Sequence, residues 1–281
     1  MLDKCIITGF ADEIDASFDV QLRVLNEIGQ NYIELRSADG VGIADFDMEK
    51  AKVIKSKMDA NGIKVSAIGS PIGKIDITDD FDNHFEKYKH IVELAHHFET
   101  DYIRMFSFYL PGDKPADDFF DEVIDRTGKL VDYAKSEGVV LLHENEKGIY
   151  GACARECKKL MDVFYGDNYK AIFDFANFIQ CDQDTLEAYE ILKDYIAYIH
   201  VKDALSCTHE VVLPGTGAGH LAEIFSALDK KGFGGFLSLE PHLFNFVGLD
   251  RLEQGEIEVK KESNGIQAYK AAHNSLINLL V

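Results

Sequence analysis

Eight short runs of β-forming residues alternate with eight amphipathic helical stretches along this chain, and few folds accommodate that order. The runs are CIITGF (5–10), YIELR (32–36), KVSAIG (64–69), YIRMFSF (102–108), VVLLHE (139–144), AIFDF (171–175), AYIHVK (197–202) and GFLSLE (235–240). Between them, apolar residues recur three or four apart over 18–28, 48–60, 81–97, 119–136, 152–164, 185–192, 221–230 and 268–280, the spacing of a helix with one buried stripe. Gly29, Asn61 with Gly62, Gly138 and Gly232 each stand just before a strand, where they stop the preceding helix. Regular strand–helix alternation calls for parallel strands joined by crossover helices. Eight repeats in 281 residues suit closure into an α/β fold of the (β/α)8 kind, a TIM barrel forming a single domain over residues 1–281. A doubly wound open sheet would want a GxGxxG turn after an early strand, and the sequence has none.

Composition narrows the partners. The net charge is −20, from 49 acidic and 29 basic residues, with no basic cluster interleaved with aromatics. Such a field repels a phosphate backbone, so no nucleic acid is expected as a partner. No apolar run reaches the length of a membrane span, so no membrane partner is expected. The start, MLDKCIITGFADEI, reads as a first strand rather than a signal peptide. Five scattered cysteines read as reduced thiols, which points to a cytoplasmic protein.

Strand ends carry the chemistry. Glu144, Asp174, His200 and Glu240 close four successive apolar runs, VVLLHENE, KAIFDFANF, IAYIHVKDA and GGFLSLEPH. Side chains alternate along a strand. Glu144 therefore shares a face with Leu142, Asp174 with Ile172, His200 with Tyr198 and Lys202, and Glu240 with Ser238 and His242. All four can point inward at the C-terminal mouth, where barrels keep their active sites. Gathering such groups away from water is costly, and one divalent metal ion neutralises them most simply. The competing reading is a salt-bridged polar rim around Lys202, Arg36 and Arg104. Three carboxylates and an imidazole make a mostly hard ligand set. Mn2+ is favoured; Mg2+ and Co2+ also suit it, and Zn2+ is an alternative.

HENE, FDFANF, IHVKDA and LEPH, with the early YIELR and the later PGTGAGHLAEIFSAL, resemble the xylose-isomerase-like TIM-barrel superfamily of sugar and sugar-phosphate isomerases and epimerases. The resemblance covers nearly the whole chain. It implies that Glu144, Asp174, His200 and Glu240 bind a divalent metal. It also implies that Glu144 and Glu240 flank the substrate carbon as acid/base carboxylates, as in the ketose 3-epimerase branch. The chain departs from that branch at Asn177, where a histidine is usual, at Ser206, where an arginine is usual, and at Thr216 within PGTG, where relatives have PGEG.

The activity expected is isomerisation or epimerisation of a sugar, sugar phosphate or related polyhydroxy carbonyl compound. Glu144 or Glu240 would abstract a proton beside a metal-polarised carbonyl. An inosose-type dehydratase using the same metal site is the alternative enzyme, and a non-catalytic sugar-binding barrel is the third reading. Glu34, Arg36, Arg104, Lys202 and His242 are the candidate substrate-binding residues. The partner expected is a small polyhydroxylated substrate, free or phosphorylated, together with a homo-oligomeric state. LPGTGAGH is either a phosphate-binding turn or a tight turn into a helix. The polar segment 246–264 is expected to form the eighth βα loop over the mouth or a surface excursion.

Overall fold

The structure is a computed structural model that describes residues 2–112, 114–244 and 264–281. The 246–263 part of the expected eighth βα loop lies outside the described residues. Eight parallel strands form one sheet: β1 Ile6–Gly9, β2 Tyr32–Leu35, β3 Lys64–Ile72, β4 Tyr102–Met105, β5 Val140–Glu144, β6 Tyr169–Asp174, β7 Ile196–Val201 and β8 Phe236–Leu239. Their order is β1-β8-β7-β6-β5-β4-β3-β2, and β1 packs beside β2 at the seam, so the sheet curls into a nearly closed barrel. The main helices are α1 Phe18–Glu27, α2 Met48–Asn61, α3 Phe81–His97, α4 Phe120–Glu137, α5 Ala154–Phe164, α6 Thr185–Leu192, α7 Leu221–Lys230 and α8 Gly265–Leu280. No helix among the described residues is long and apolar enough to cross a membrane.

Local chemistry places the helix ends. Asp47, Asp80, Asp184 and Asn264 accept backbone N–H bonds at the starts of α2, α3, α6 and α8. Gly62 and Gly138 close α2 and α4 in the left-handed conformation, at φ 68° and 73°. A side chain there would be strained, which is why the sequence punctuates those points with glycine.

Three strands differ most from their sequence expectation. β3 runs on to Ile72, taking in Ser70 and Pro71, which read as loop. Pro71 falls where the β3–β4 register shifts, so its missing N–H breaks no regular ladder. β4 stops at Met105 instead of Phe108, whose φ of 67° is incompatible with a strand. The expected strand residue Phe175 instead opens a one-turn helix, Phe175–Ile179, directly behind Asp174.

The strands sort their side chains by alternation. Outward residues such as Leu35, Ile103, Leu141, Phe173, Ile199 and Leu237 pack against the helices in the main core. Inward residues Ala67, Leu142, Ile172 and Tyr198 form a separate apolar cluster inside the barrel, with Tyr102, Val140 and Phe236 packed against it. Above this floor come hydroxyls: Thr8 Oγ1 lies 2.8 Å from Ser66 Oγ, which lies 3.0 Å from the Tyr198 hydroxyl. The charged mouth sits on top. The barrel thus passes from apolar to ionic along its axis, with a hydrogen-bonded layer between.

Two buried histidines outside the mouth are held neutral. His84 Nε2 accepts the Gly73 N–H at 2.8 Å, so that nitrogen carries no proton. His143 faces away from the barrel axis, with Nε2 3.0 Å from Ser107 Oγ. Burial depresses each from 6.5 to about 4. Unfolding lets both take protons at their ordinary value. Their contribution is therefore complete above about pH 6.5 and is lost as pH falls toward 4. Asp174 and Glu13, pushed up to about 7, work in the opposite sense over that interval, so the test is the difference between proteins: the urea midpoint of His84→Gln, which keeps an acceptor without titrating, should rise relative to wild type as pH falls from 6.5 to 4. A variant that tracks the wild type across the whole interval contradicts this role for His84.

Candidate metal centre

Strand register brings the expected residues together. Asp174 on β6 pairs with His200 on β7, and His200 pairs with Ser238 on β8. Glu144 ends β5, and Glu240 follows β8 by one residue. Each of Glu144, Asp174, His200 and Glu240 offers a ligand atom within 4.8 Å of the others, and all are buried. His200 Nδ1 lies 2.8 Å from Glu144 Oε1, 3.5 Å from Glu240 Oε2 and 3.9 Å from Asp174 Oδ2.

The candidate substrate-binding residues join the same network. Arg104 Nη1 reaches Glu144 Oε2 at 3.2 Å. Arg36 reaches Glu240 Oε1 at 3.1 Å, and Lys202 Nζ lies 3.4 Å from both Glu240 Oε2 and Asp174 Oδ2. His242 Nε2 is 3.2 Å from Glu240 Oε1. Glu34 meets the other edge of the His200 ring, with Oε2 3.1 Å from Nε2.

Sequence reading missed Asp12, Glu13 and Asn145. The 3-10 turn Ala11–Glu13 follows β1 at the barrel's C-terminal end, so the strand-end rule applied to Glu144 also reaches it. Arg36 binds Asp12 through Nε at 2.9 Å and Glu13 through Nη2 at 3.2 Å. Asn145 brackets the backbone of Asp174, accepting its N–H at 2.9 Å and donating to its carbonyl at 3.0 Å. Asp174 in turn caps the one-turn helix: Oδ1 accepts the Asn177 N–H at 2.8 Å. Asn177 also donates from Nδ2 to Glu144 Oε1 at 3.4 Å and to the Asn145 carbonyl at 2.9 Å.

Ion pairing with Arg36, Arg104 and Lys202 is present, so the polar-rim reading describes real contacts. It leaves charge over. Among the described residues of this network, Asp12, Glu13, Glu34, Glu144, Asp174 and Glu240 are buried carboxyl groups, set against Arg36, Arg104 and Lys202 as fixed cations. Protons take up the difference. Burial pushes Asp174 up to about 7, with the Glu240 and Glu144 carboxylates adding to the rise against Lys202. Burial likewise pushes Glu13 up to about 7. For Glu144, burial is outweighed by His200 and Arg104, which hold it below the usual carboxylate range; for Glu240, Lys202 and His242 do the same. Burial also opposes a charged His200, but Glu144 and Glu34 raise it well above 6.5.

A divalent cation is the alternative to those protons, and the donor set fits one. Asp174 Oδ2 is buried and accepts no hydrogen bond, with the Lys202 ammonium 3.4 Å away as an ion pair, so its lone pairs stay open to a metal ligand role. Glu13, Glu240 and His242 form a second close group. Arg36 bridges Glu13 and Glu240 there at 3.2 and 3.1 Å, a closer pairing than the 3.4 Å contacts of Lys202 with Asp174 and Glu240, and the first group offers four ligand residues against three.

The glycine-rich loop after β7 is filled from within. Asp203 is buried, and its carboxylate accepts the N–H groups of Ala204, Gly215, Gly217 and Gly219, each at 2.9 Å. The tight-turn reading of LPGTGAG therefore fits, with a side-chain carboxylate in the place of a phosphate. Asp203→Asn would set an amide donor among those donors. It should lower stability by about 1–3 kcal/mol, read as a reduced urea midpoint. An unchanged midpoint contradicts this clamp.

A family model described as xylose isomerase-like TIM barrel matches residues 22–262. Among solved structures, D-psicose 3-epimerase with D-tagatose from Clostridium cellulolyticum H10 superposes at TM-score 0.76 and 13% identity, covering 98% of each chain. An IOLI protein with a binding zinc atom gives 0.76 and 15%, again over 98% of each chain. The probable 3-DHS dehydratase AsbF of Bacillus anthracis gives 0.73 and 18%, covering 97% of this chain and 99% of that one. At these identities the likeness is one of fold. No curated protein matches the chain by sequence.

Proposed function

The chain belongs to the xylose isomerase-like TIM barrel family, and we propose that it is a divalent-metal-dependent isomerase or epimerase of a small polyhydroxylated carbonyl compound. Glu144, Asp174, His200 and Glu240 are the proposed metal ligands, with Mn2+ the favoured ion. The observation that carries the reading is the pair Glu144 and Glu240, both drawn to the Nδ1 edge of one buried imidazole. When bound, the ion supplies Lewis acidity to a carbonyl and its neighbouring hydroxyl, and stabilises enediolate charge.

The side chains do the rest. Glu144 and Glu240 are both held ionised near neutral pH, the state a base needs. One takes the proton from the carbon beside the carbonyl. Return by the other carboxylate to the opposite face gives an epimer; return to the adjacent carbon gives an isomer. Their surroundings differ, with Arg104 and Asn177 at Glu144 and Arg36, Lys202 and His242 at Glu240. Unequal surroundings let two carboxyls take unequal roles. Lys202, already between two of the acids, is placed to turn toward a substrate oxygen, with Arg36, Arg104 and His242 around it.

The described residues favour an unphosphorylated substrate. Arg36, Arg104 and Lys202 face carboxylates at the mouth, as does Lys74, 3.1 Å from Glu146. The glycine N–H groups serve Asp203. A cytoplasmic location, expected of reduced thiols, and a homo-oligomeric state belong to the same proposal. A dehydratase acting through the same acids is the second reading, favoured by Asn177 and Ser206 standing where the ketose 3-epimerase pattern has histidine and arginine.

Deuterium uptake from D2O into carbon, followed by NMR over ketoses, their phosphates and inososes with added Mn2+, tests the chemistry. The expected result is exchange that requires both protein and Mn2+, and that falls at least about 100-fold in Glu240→Gln. Product mass separates isomerisation, which conserves it, from dehydration, which loses water. Near-wild-type turnover in both Glu144→Gln and Glu240→Gln would sink the assignment of the bases.

A further inference from the structure

We propose that Glu34 is the positioning residue that holds His200 with Nδ1, rather than Nε2, offered to the divalent cation. This rests on reading Glu144, Asp174, His200 and Glu240 as the metal ligands. The imidazole is engaged at both edges. Nδ1 faces Glu144, Glu240 and Asp174, whereas Nε2 lies 3.1 Å from Glu34 Oε2. Turning the ring over would set carbon against a carboxylate at both edges, so the pairing has one favourable sense.

The ring's plane is fixed as well. Phe10 meets it edge-on at 5.3 Å and 80°, and Tyr198 at 5.8 Å and 77°. Glu34 is itself anchored, since Ser238 Oγ donates to the same Oε2 at 2.7 Å. On β2, Glu34 lies two residues before Arg36; on β8, Ser238 lies two residues before Glu240. Glu34 and Ser238 therefore form the tier beneath Arg36 and Glu240. The sequence reading placed Glu34 among the substrate-binding residues; here its Oε2 meets the side of His200 turned away from the proposed ligand cluster.

A carboxylate accepts hydrogen bonds and donates none when ionised. Behind a metal-binding imidazole it draws the single ring proton to the nitrogen it faces, and frees the other nitrogen as a donor to the cation. Glu34 thus selects the tautomer and the tilt of His200 without touching substrate.

The test compares Mn2+ affinity by calorimetry for the wild type, Glu34→Ala, Glu34→Gln and His200→Ala, with far-UV circular dichroism to confirm folding. It adds NMR of the 15N-histidine-labelled, Zn2+-loaded wild type, which reads the tautomer with no substitution at all. Expected are a protonated Nε2 and a metallated Nδ1 on His200. Affinity should fall about 10–100-fold in Glu34→Ala, with most of it regained in Glu34→Gln, which keeps a carbonyl acceptor. Metal on Nε2 overturns the inference. So does loss of affinity in His200→Ala with none in Glu34→Ala. Wild-type affinity in His200→Ala overturns the ligand assignment and this inference together.

Discussion

Carboxylates withdrawn from water at one end of a barrel set the terms for the rest of this molecule. Each buried charge costs several kcal/mol unless it is matched closely. The mouth gathers six carboxyl groups, Asp12, Glu13, Glu34, Glu144, Asp174 and Glu240, within one connected network of contacts. Arg36 and Arg104 are drawn inward by that charge, and their guanidinium groups stack on Phe10 at 4.3 and 4.8 Å. One aromatic ring thereby supports both arginines and the His200 imidazole. Below, the Thr8–Ser66–Tyr198 hydroxyl contacts lie between the ionic tier and the apolar floor.

Backbone loops follow the same logic. Asp203 sits one residue past Lys202 and points away from the mouth into the glycine turn. It fixes the chain just where Lys202 leaves β7. Asp174 divides its two oxygens, giving one to the helix that follows it and the other to the Lys202 ammonium. Rigid supports of this kind hold groups at close range that would otherwise repel one another apart.

Much of this was legible in the sequence because period is a backbone property. Alternation put Glu144, Asp174, His200 and Glu240 on inward faces, and glycines such as Gly62 and Gly138 marked helix ends through the sign of φ. Other parts were hidden. Asp12 and Glu13 belong to a 3-10 turn whose three residues carry no period, so only its place after β1 could reveal them. Phe108 is kept out of β4 by a left-handed backbone that an aromatic residue does not advertise. The carboxylate inside PGTGAG came from Asp203, which lies in a two-residue strand beside the turn, and tertiary contact alone joins the two. The position of Glu34 behind His200 depended on barrel closure, which pairs tiers of residues from strands far apart in sequence.

Anomalous diffraction from crystals grown with Mn2+ tests the central claim most directly. The account predicts one strong peak enclosed by Glu144, Asp174, His200 and Glu240. A map with no peak there, or with its strongest peak among Glu13, Glu240 and His242 instead, would contradict it.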